Sequence, residues 1–142
     1  MTTHTKIRVF ETGDTGAVVA LWESAGLTRP WNDPRADIRR KLAVQPELFL
    51  VAVESGRIVG SVMAGYDGHR GWLYYLATVS DRRGAGIGRM LVEAAETRLI
   101  AMGCPKVQLM VRTENEGVRG FYDSIGYEPF DIWMTGKRLI AD

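Results

Sequence analysis

The chain has 142 residues, of which 46% are hydrophobic and 25% charged, a balance that predicts one soluble globular domain over 1–142 with a real core. Eighteen basic residues against seventeen acidic ones leave a formal charge of +1, and no run of like charges offers nucleic acid or anionic lipid a footprint. No stretch approaches the roughly 18 apolar residues of a membrane helix, and "MTTHTKIRVF" lacks the apolar core of a signal peptide. With one cysteine, Cys104, and two histidines, His4 and His69, neither a disulfide framework nor a Cys/His metal site is expected. The expectation is a cytoplasmic chain without metal, nucleic-acid partner or membrane.

In chain order, "TKIRVF" alternates Ile7 and Val9 with polar residues, the pattern of a first strand. Asp14 is placed to cap a helix in which Val18, Leu21, Trp22 and Ala25 recur at helical spacing, and Gly26 stands where such a helix ends. After "LTRPWNDP", Asp33 followed by Pro34 starts a second helix carrying Ile38 and Leu42 and ending before Pro46. "ELFLVAVESGRIVGSVMAGY" predicts two strands turning at Ser55-Gly56. "DGHRG" is the next turn, and "WLYYLATV" a third strand of the meander, apolar on both faces. Past a glycine run, Leu91, Ala94, Ala95, Leu99 and Met102 make one face of a helix closed by Gly103 and Pro105. "KVQLMV" is a strand, "TENEGVRGFYDSIG" a loop and short helix, and "YEPFDIWMTGKRLI" one or two final strands. The predicted order is βααβββαβαβ, an α/β (α+β) class.

The glycine run, Arg83-Gly84-Ala85-Gly86-Ile87-Gly88, lies between an apolar strand and a helix. A turn of that kind leaves backbone amides free at the positive end of the helix dipole, which makes an anion cradle. The dinucleotide pattern G-x-G-x-x-G fails here because Arg89 follows Gly88, and no glycine precedes Lys-Ser or Lys-Thr as a P-loop requires. Arg83 flanks the cradle, where its charge adds to the dipole. Arg82 and Arg89 read as surface residues.

This pattern, set between strand and helix, resembles motif A of the GNAT superfamily of acetyl-CoA-dependent N-acetyltransferases. "NEGVRGFYDSIGY", with Asn115, Tyr122 and Gly126-Tyr127, is similar to the family's second signature. Within the family, "RPWNDP", "GYDGHRG" and "GCPK" resemble the small bacterial YpeA-type acetyltransferases. The resemblance implies a GNAT fold, with a central mixed, mostly antiparallel sheet covered by helices on both faces. It implies acetyl-CoA as cosubstrate and an amine acceptor as partner; a homodimer stays open. The pyrophosphate would lie on the amides from Gly84 through Ala85, Gly86, Ile87 and Gly88 to Arg89. The pantetheine arm would pair with the backbone of Ala77, Thr78 and Val79, a strand-like mode of binding. Tyr122 matches the family tyrosine that protonates the departing thiolate. Asn115 is either a helix cap or a contact to the cofactor arm.

No base is assignable in the same way. The glutamate that some family members carry five residues before the asparagine is Met110 here. Asp67, His69, Asp33, Glu114, and Tyr74 or Tyr75 acting through water remain candidates. Acceptor recognition falls to two loops, Arg29, Trp31, Asn32 and Asp33 in one and Tyr66, Asp67, His69 and Arg70 in the other. Their plainer roles are a helix cap for Asp33, a core plug for Trp31, a surface pair for Arg70 and Asp67 and a turn position for His69. A non-catalytic acyl-CoA-binding sensor is the competing function.

Overall fold

The computed structural model describes residues 4–142; residues 1–3, the start of the segment read as lacking a signal-peptide core, lie outside them. Five strands form one sheet in chain order: β1 (Lys6–Val9), β2 (Phe49–Glu54), β3 (Arg57–Tyr66), β4 (Gly71–Thr78) and β5 (Val107–Gln108). β1 to β4 pair antiparallel, while β5 runs parallel to β4. The β2–β3 turn is at Ser55-Gly56, with φ of 50° and 76°, the doubly left-handed geometry whose twist suits a two-residue hairpin.

Helices α1 (Thr15–Ser24) and α2 (Pro34–Ala43) cover one face, α3 (Ile87–Ala101) and α4 (Glu116–Ser124) the other. The run "FLVA" in β2 is apolar throughout because alternate residues feed different cores. Phe49 and Val51 join Val18, Trp22 and Ile38 on the α1–α2 side, and Leu50 and Ala52 join Leu91, Val92 and Tyr122 on the other. Among the described residues no helix is long and apolar enough to cross a membrane.

Three local expectations change. Asp14 occupies the cap position of α1, but its carboxylate is taken by Arg8 at 2.7 Å and the Glu11 amide at 2.9 Å, so it caps no amide of α1. "KVQLMV" pairs over Val107–Gln108 only. The final strands of "YEPFDIWMTGKRLI" do not form, and the order observed is βααβββαβα. A two-residue β5 offers almost no ladder for another strand to extend. The tail returns instead to the loop between α1 and α2, where the Asp33 amide donates to the Asp142 carbonyl at 3.1 Å and Arg138 donates to the Trp31 carbonyl at 3.4 Å.

Gly60 sets how closely α3 sits on the sheet. A Cβ there would lie 2.9 Å from Leu91 Cδ1, 3.0 Å from Ile87 Cγ2 and 3.1 Å from the Ala77 carbonyl oxygen. Gly60→Ala is expected to destabilise the fold by about 1–3 kcal/mol, the usual scale of overpacking; urea unfolding measures it, and parental stability would show that α3 shifts freely.

Candidate active site

β4 leads into a short turn, residues 80–82, that two arginine–carboxylate forks pin in place. Arg82 spans the Glu54 oxygens at 2.7 and 2.9 Å, and Arg57 spans those of Asp81 at 2.9 Å. Glu54 is 6% exposed and accepts a further bond from the Thr5 hydroxyl at 2.6 Å. Arg82, which reads as a surface residue, therefore ties the approach to the glycine run to β2. A turn held from outside in this way is set before any ligand arrives.

Gly84 and Gly86 have φ of 80° and 84°, and a Cβ on either would meet nothing within 4 Å. Conformation, not crowding, makes them glycine. Gly88 differs, because a Cβ there would come within 3.3 Å of the Phe121 ring; its smallness lets α4 pack against the start of α3. The first hydrogen bond of α3 runs from the Met90 amide to the Gly86 carbonyl at 3.0 Å. The six amides from Gly84 to Arg89 therefore have no acceptor among the described residues, and they stand at the positive end of a 15-residue helix. The Arg89 side chain is paired with Glu93 at 3.0 Å, while Arg83 is exposed and unpaired among the described residues.

Next to this cradle lies an open strand edge. β5 covers only Gly71 and Trp72 of β4, so from Leu73 onward that side of β4 has no paired strand among the described residues. The β3–β4 register slips between Ser61 and Met63, and Tyr75 has φ of 54°. Such a bulge re-aims side chains: Tyr75 packs with the α1–α2 core and Leu76 with the α3–α4 core. The Val79 amide donates to the Val59 carbonyl at 2.9 Å, and Ala77 pairs with Ser61. By strand alternation, Thr78 and Leu76 then present their backbone groups to the open side. Of Ala77, Thr78 and Val79, only Thr78 faces the gap; Leu76 joins it through a bulge that leaves no mark in the sequence.

Tyr122, on α4, is 7% exposed, edge-on to Phe121 and tilted against Tyr127. Its neighbour Tyr127 donates to Glu96 at 2.7 Å. The Tyr122 hydroxyl has no hydrogen-bond partner among the described residues and is not sealed from solvent. Burial pushes its phenol up to about 12, so it keeps its proton through the neutral range. Asn115 accepts from the Val118 amide at 3.3 Å and is the cap of α4.

These phenols make a stability prediction. Unfolded tyrosine titrates near 10, whereas Tyr122 in the fold holds its proton to about 12. Stability present below about pH 10 is therefore lost as pH rises, because the unfolded chain releases a proton that the fold retains. Burial raises Tyr75 and Tyr127 in the same direction, helped by bonds to Asp37 and Glu96. Thermal melts are expected to fall above about pH 10, less steeply for Tyr122→Phe; parallel declines would remove Tyr122 from the effect.

The two acceptor loops do not come together. Residues Thr28 to Pro34, with Glu23, Ala141 and Asp142, rim an open depression of about 640 Å³. Trp31 is 58% exposed at that rim rather than a core plug. Arg29 donates to the Gly26 and Thr28 carbonyls at 2.8 Å, and Asp33 caps α2 by accepting from the Arg35 amide at 2.9 Å. Tyr66, Asp67 and His69 stand at the other end of β4 from the glycine run, roughly 25 Å away at 3.3 Å per residue. Asp67 accepts from the Arg70 amide at 2.7 Å and the His69 amide at 2.8 Å, which hold its carboxyl below the usual range. It is a turn residue. His69, Tyr74 and Glu114 are exposed, and no hydrogen bond joins the turn to the depression among the described residues.

The α1–α2 loop meets β4 through a side chain that the sequence does not single out. Asp37 Oδ2 accepts from the Tyr75 hydroxyl at 2.6 Å and from Asn32 Nδ2 at 2.7 Å. Trp22 stacks on the Tyr75 ring with centroids 3.8 Å apart and donates to Ser61 Oγ at 2.9 Å; Ser61 in turn donates to the Tyr75 carbonyl at 2.9 Å.

Fold and site together define an α/β protein in which an open strand edge leads into an anion-ready helix end. Residues 18–127 match the model of the Acetyltransferase (GNAT) family. An acetyltransferase of Yersinia enterocolitica is 56% identical over 137 residues, 96% of this chain and 97% of that protein. A Yersinia pestis protein named as an uncharacterized N-acetyltransferase is 54% identical over 137 residues, again 96% and 97%. Among solved structures, Ard1 of Thermoplasma volcanium superposes with a TM-score of 0.78 at 25% identity, over 89% of this chain and 84% of that one. The chain belongs to the GNAT family and is an acetyltransferase.

Proposed function

We propose that the protein transfers the acetyl group of acetyl-CoA directly to a primary amine of a small molecule or protein. The observation that carries this reading is the continuity of the six unpartnered amides, Gly84 to Arg89, with the open edge of β4. A diphosphate fits the first, since amides at a helix start receive anions. An extended chain bearing amide groups fits the second, pairing with Thr78 and Leu76 as an added strand would. Arg83, exposed beside the cradle, supplies a positive charge to the phosphates. Acetyl-CoA brings the activated thioester; the protein orients it and handles protons.

Tyr122 is the acid in this scheme. Its hydroxyl is spent on no acceptor among the described residues, and its Phe121 neighbour lies against the first turn of α3 at Gly88. Acetyl transfer of this kind needs proton handling and no metal, and the same reading places the protein in the cytoplasm, where a lone thiol stays reduced.

Thermal melting with acetyl-CoA, CoA, NAD and ATP tests the donor. A ligand bound only by the native state stabilises it by about 2.7 kcal/mol at a hundredfold excess over Kd. Acetyl-CoA and CoA are expected to raise Tm and NAD and ATP to leave it unchanged; the opposite ranking would overturn the assignment.

A further inference from the structure

We propose that Asp37, acting through the Tyr75 hydroxyl, is the proton acceptor for the incoming amine, whose class is a primary alkylammonium. The inference rests on the acetyl-transfer reading above. It begins from the backbone: a bulky residue at φ 54° is strained, and such strain persists only where the surroundings over-determine it. Here Trp22 holds the Tyr75 ring, Ser61 its carbonyl, and Asp37 with Asn32 its hydroxyl. The strained residue lies on β4, beyond the last residue, Trp72, that β5 covers. Tyr75 serves the α1–α2 face and Tyr122 the α3–α4 face. A proton acceptor and a proton donor thus stand on opposite faces of the sheet.

The charged groups around Asp37 leave its Oδ2 to Tyr75 and Asn32. From its own helix, Arg40 reaches Oδ1 at 3.3 Å with its side chain half exposed, leaving Oδ2 to the 2.6 Å bond with Tyr75. Lys41, one turn on, turns toward Gly65 of β3, where its Nζ lies 3.8 Å from the place of a Cβ. From the preceding loop, Asp33 is shared with Arg39 at 4.0 Å, and Asn32 is neutral. The facing residues of α1 and β3, Trp22 and Ser61, carry no charge. In the adjoining depression the Arg29 guanidinium is spent on two carbonyls, while Glu23 and the face of Trp31 remain to receive a cation.

The ammonium gives one proton to Tyr75 Oη as the tyrosine's own proton passes to Asp37 Oδ2. The freed lone pair forms the N–C bond while the thioester C–S bond breaks, and Tyr122 protonates the sulfur. The surplus proton on nitrogen restores Tyr122, and Asp37 returns its proton to solvent. One ammonium and one thioester become one amide, one thiol and one free proton.

The experiment is steady-state transfer from acetyl-CoA to ethanolamine, glucosamine and a peptide with a free α-amine, by parent, Asp37→Asn, Asp37→Glu and Tyr75→Phe, across pH. Asn still accepts a bond from Tyr75 but takes no proton. Asp37→Asn is expected to lower acceptor kcat/KM about 10²-fold near neutrality, the scale of a general base, with acetyl-CoA affinity unchanged and Asp37→Glu partly active. The deficit should shrink as pH nears the amine's own pKa, because the free base needs no proton acceptor. Tyr75→Phe should show the same pH signature, which keeps the test decisive should Asp37→Asn fold poorly. A deficit that is flat with pH, or absent, in an active enzyme overturns the relay alone. A parent that transfers to none of these amines overturns the acetyl-transfer reading and the relay with it.

Discussion

Tyr122→Phe is expected to keep the fold and acetyl-CoA affinity while losing turnover by on the order of 10²-fold. The ring is packed against Phe121 and Tyr127, and the hydroxyl is the part with no partner among the described residues. Phe preserves the first and removes the second, so a purely structural tyrosine predicts almost no change in rate. The phenol acts only as the C–S bond breaks, and the loss should therefore shrink with an acyl donor whose thiol leaves readily. Because the phenol stays protonated up to about 12, the parent should show no alkaline loss of rate from this group at ordinary assay pH. Single-turnover transfer by parent and variant to the same amine measures the effect; equal rates would remove Tyr122 from the mechanism.

Residues whose local chemistry decides their conformation were legible in the sequence. Ser55-Gly56 permits a doubly left-handed turn, Asp33-Pro34 caps and opens α2, and Gly84 and Gly86 mark a turn that other residues enter only with strain. What escaped depends on pairing between distant segments. The bulge at Tyr75 arises from the register of β3 against β4, and no residue type announces it. Asp37 looks like any polar position on an amphipathic helix until that bulge turns a phenol toward it. At the other turn residue type and geometry diverge: Asp67 and His69 are types that suit catalysis, and Asp67 accepts from the amides of its own turn. The final strands failed because alternation promises a strand without supplying a partner, and β5 is too short to be one.

Gly86→Val is expected to weaken acetyl-CoA binding by roughly ten- to a hundredfold, which corresponds to losing one hydrogen bond to a charged group worth about 1.5–3 kcal/mol. Gly86 sits at φ 84° immediately before α3, and its conformation aims the free amides of Ile87, Gly88 and Arg89 outward. A β-branched residue in the left-handed region costs about 1–2 kcal/mol, so the turn relaxes toward an ordinary helix start and the amides lose their common direction. The added side chain also fills space that is open in the protein and that a diphosphate needs. Backbone strain alone is controlled by Gly26→Val. Gly26 has φ of 72° with nothing within 4 Å of a Cβ, and it follows α1 away from the cradle. That variant should lose similar stability and keep parental affinity. Calorimetric titration of the three proteins with CoA separates the effects: a folded Gly86→Val protein binding CoA as tightly as the parent would place the phosphates elsewhere, and equal weakening by Gly26→Val would reduce the effect to general destabilisation.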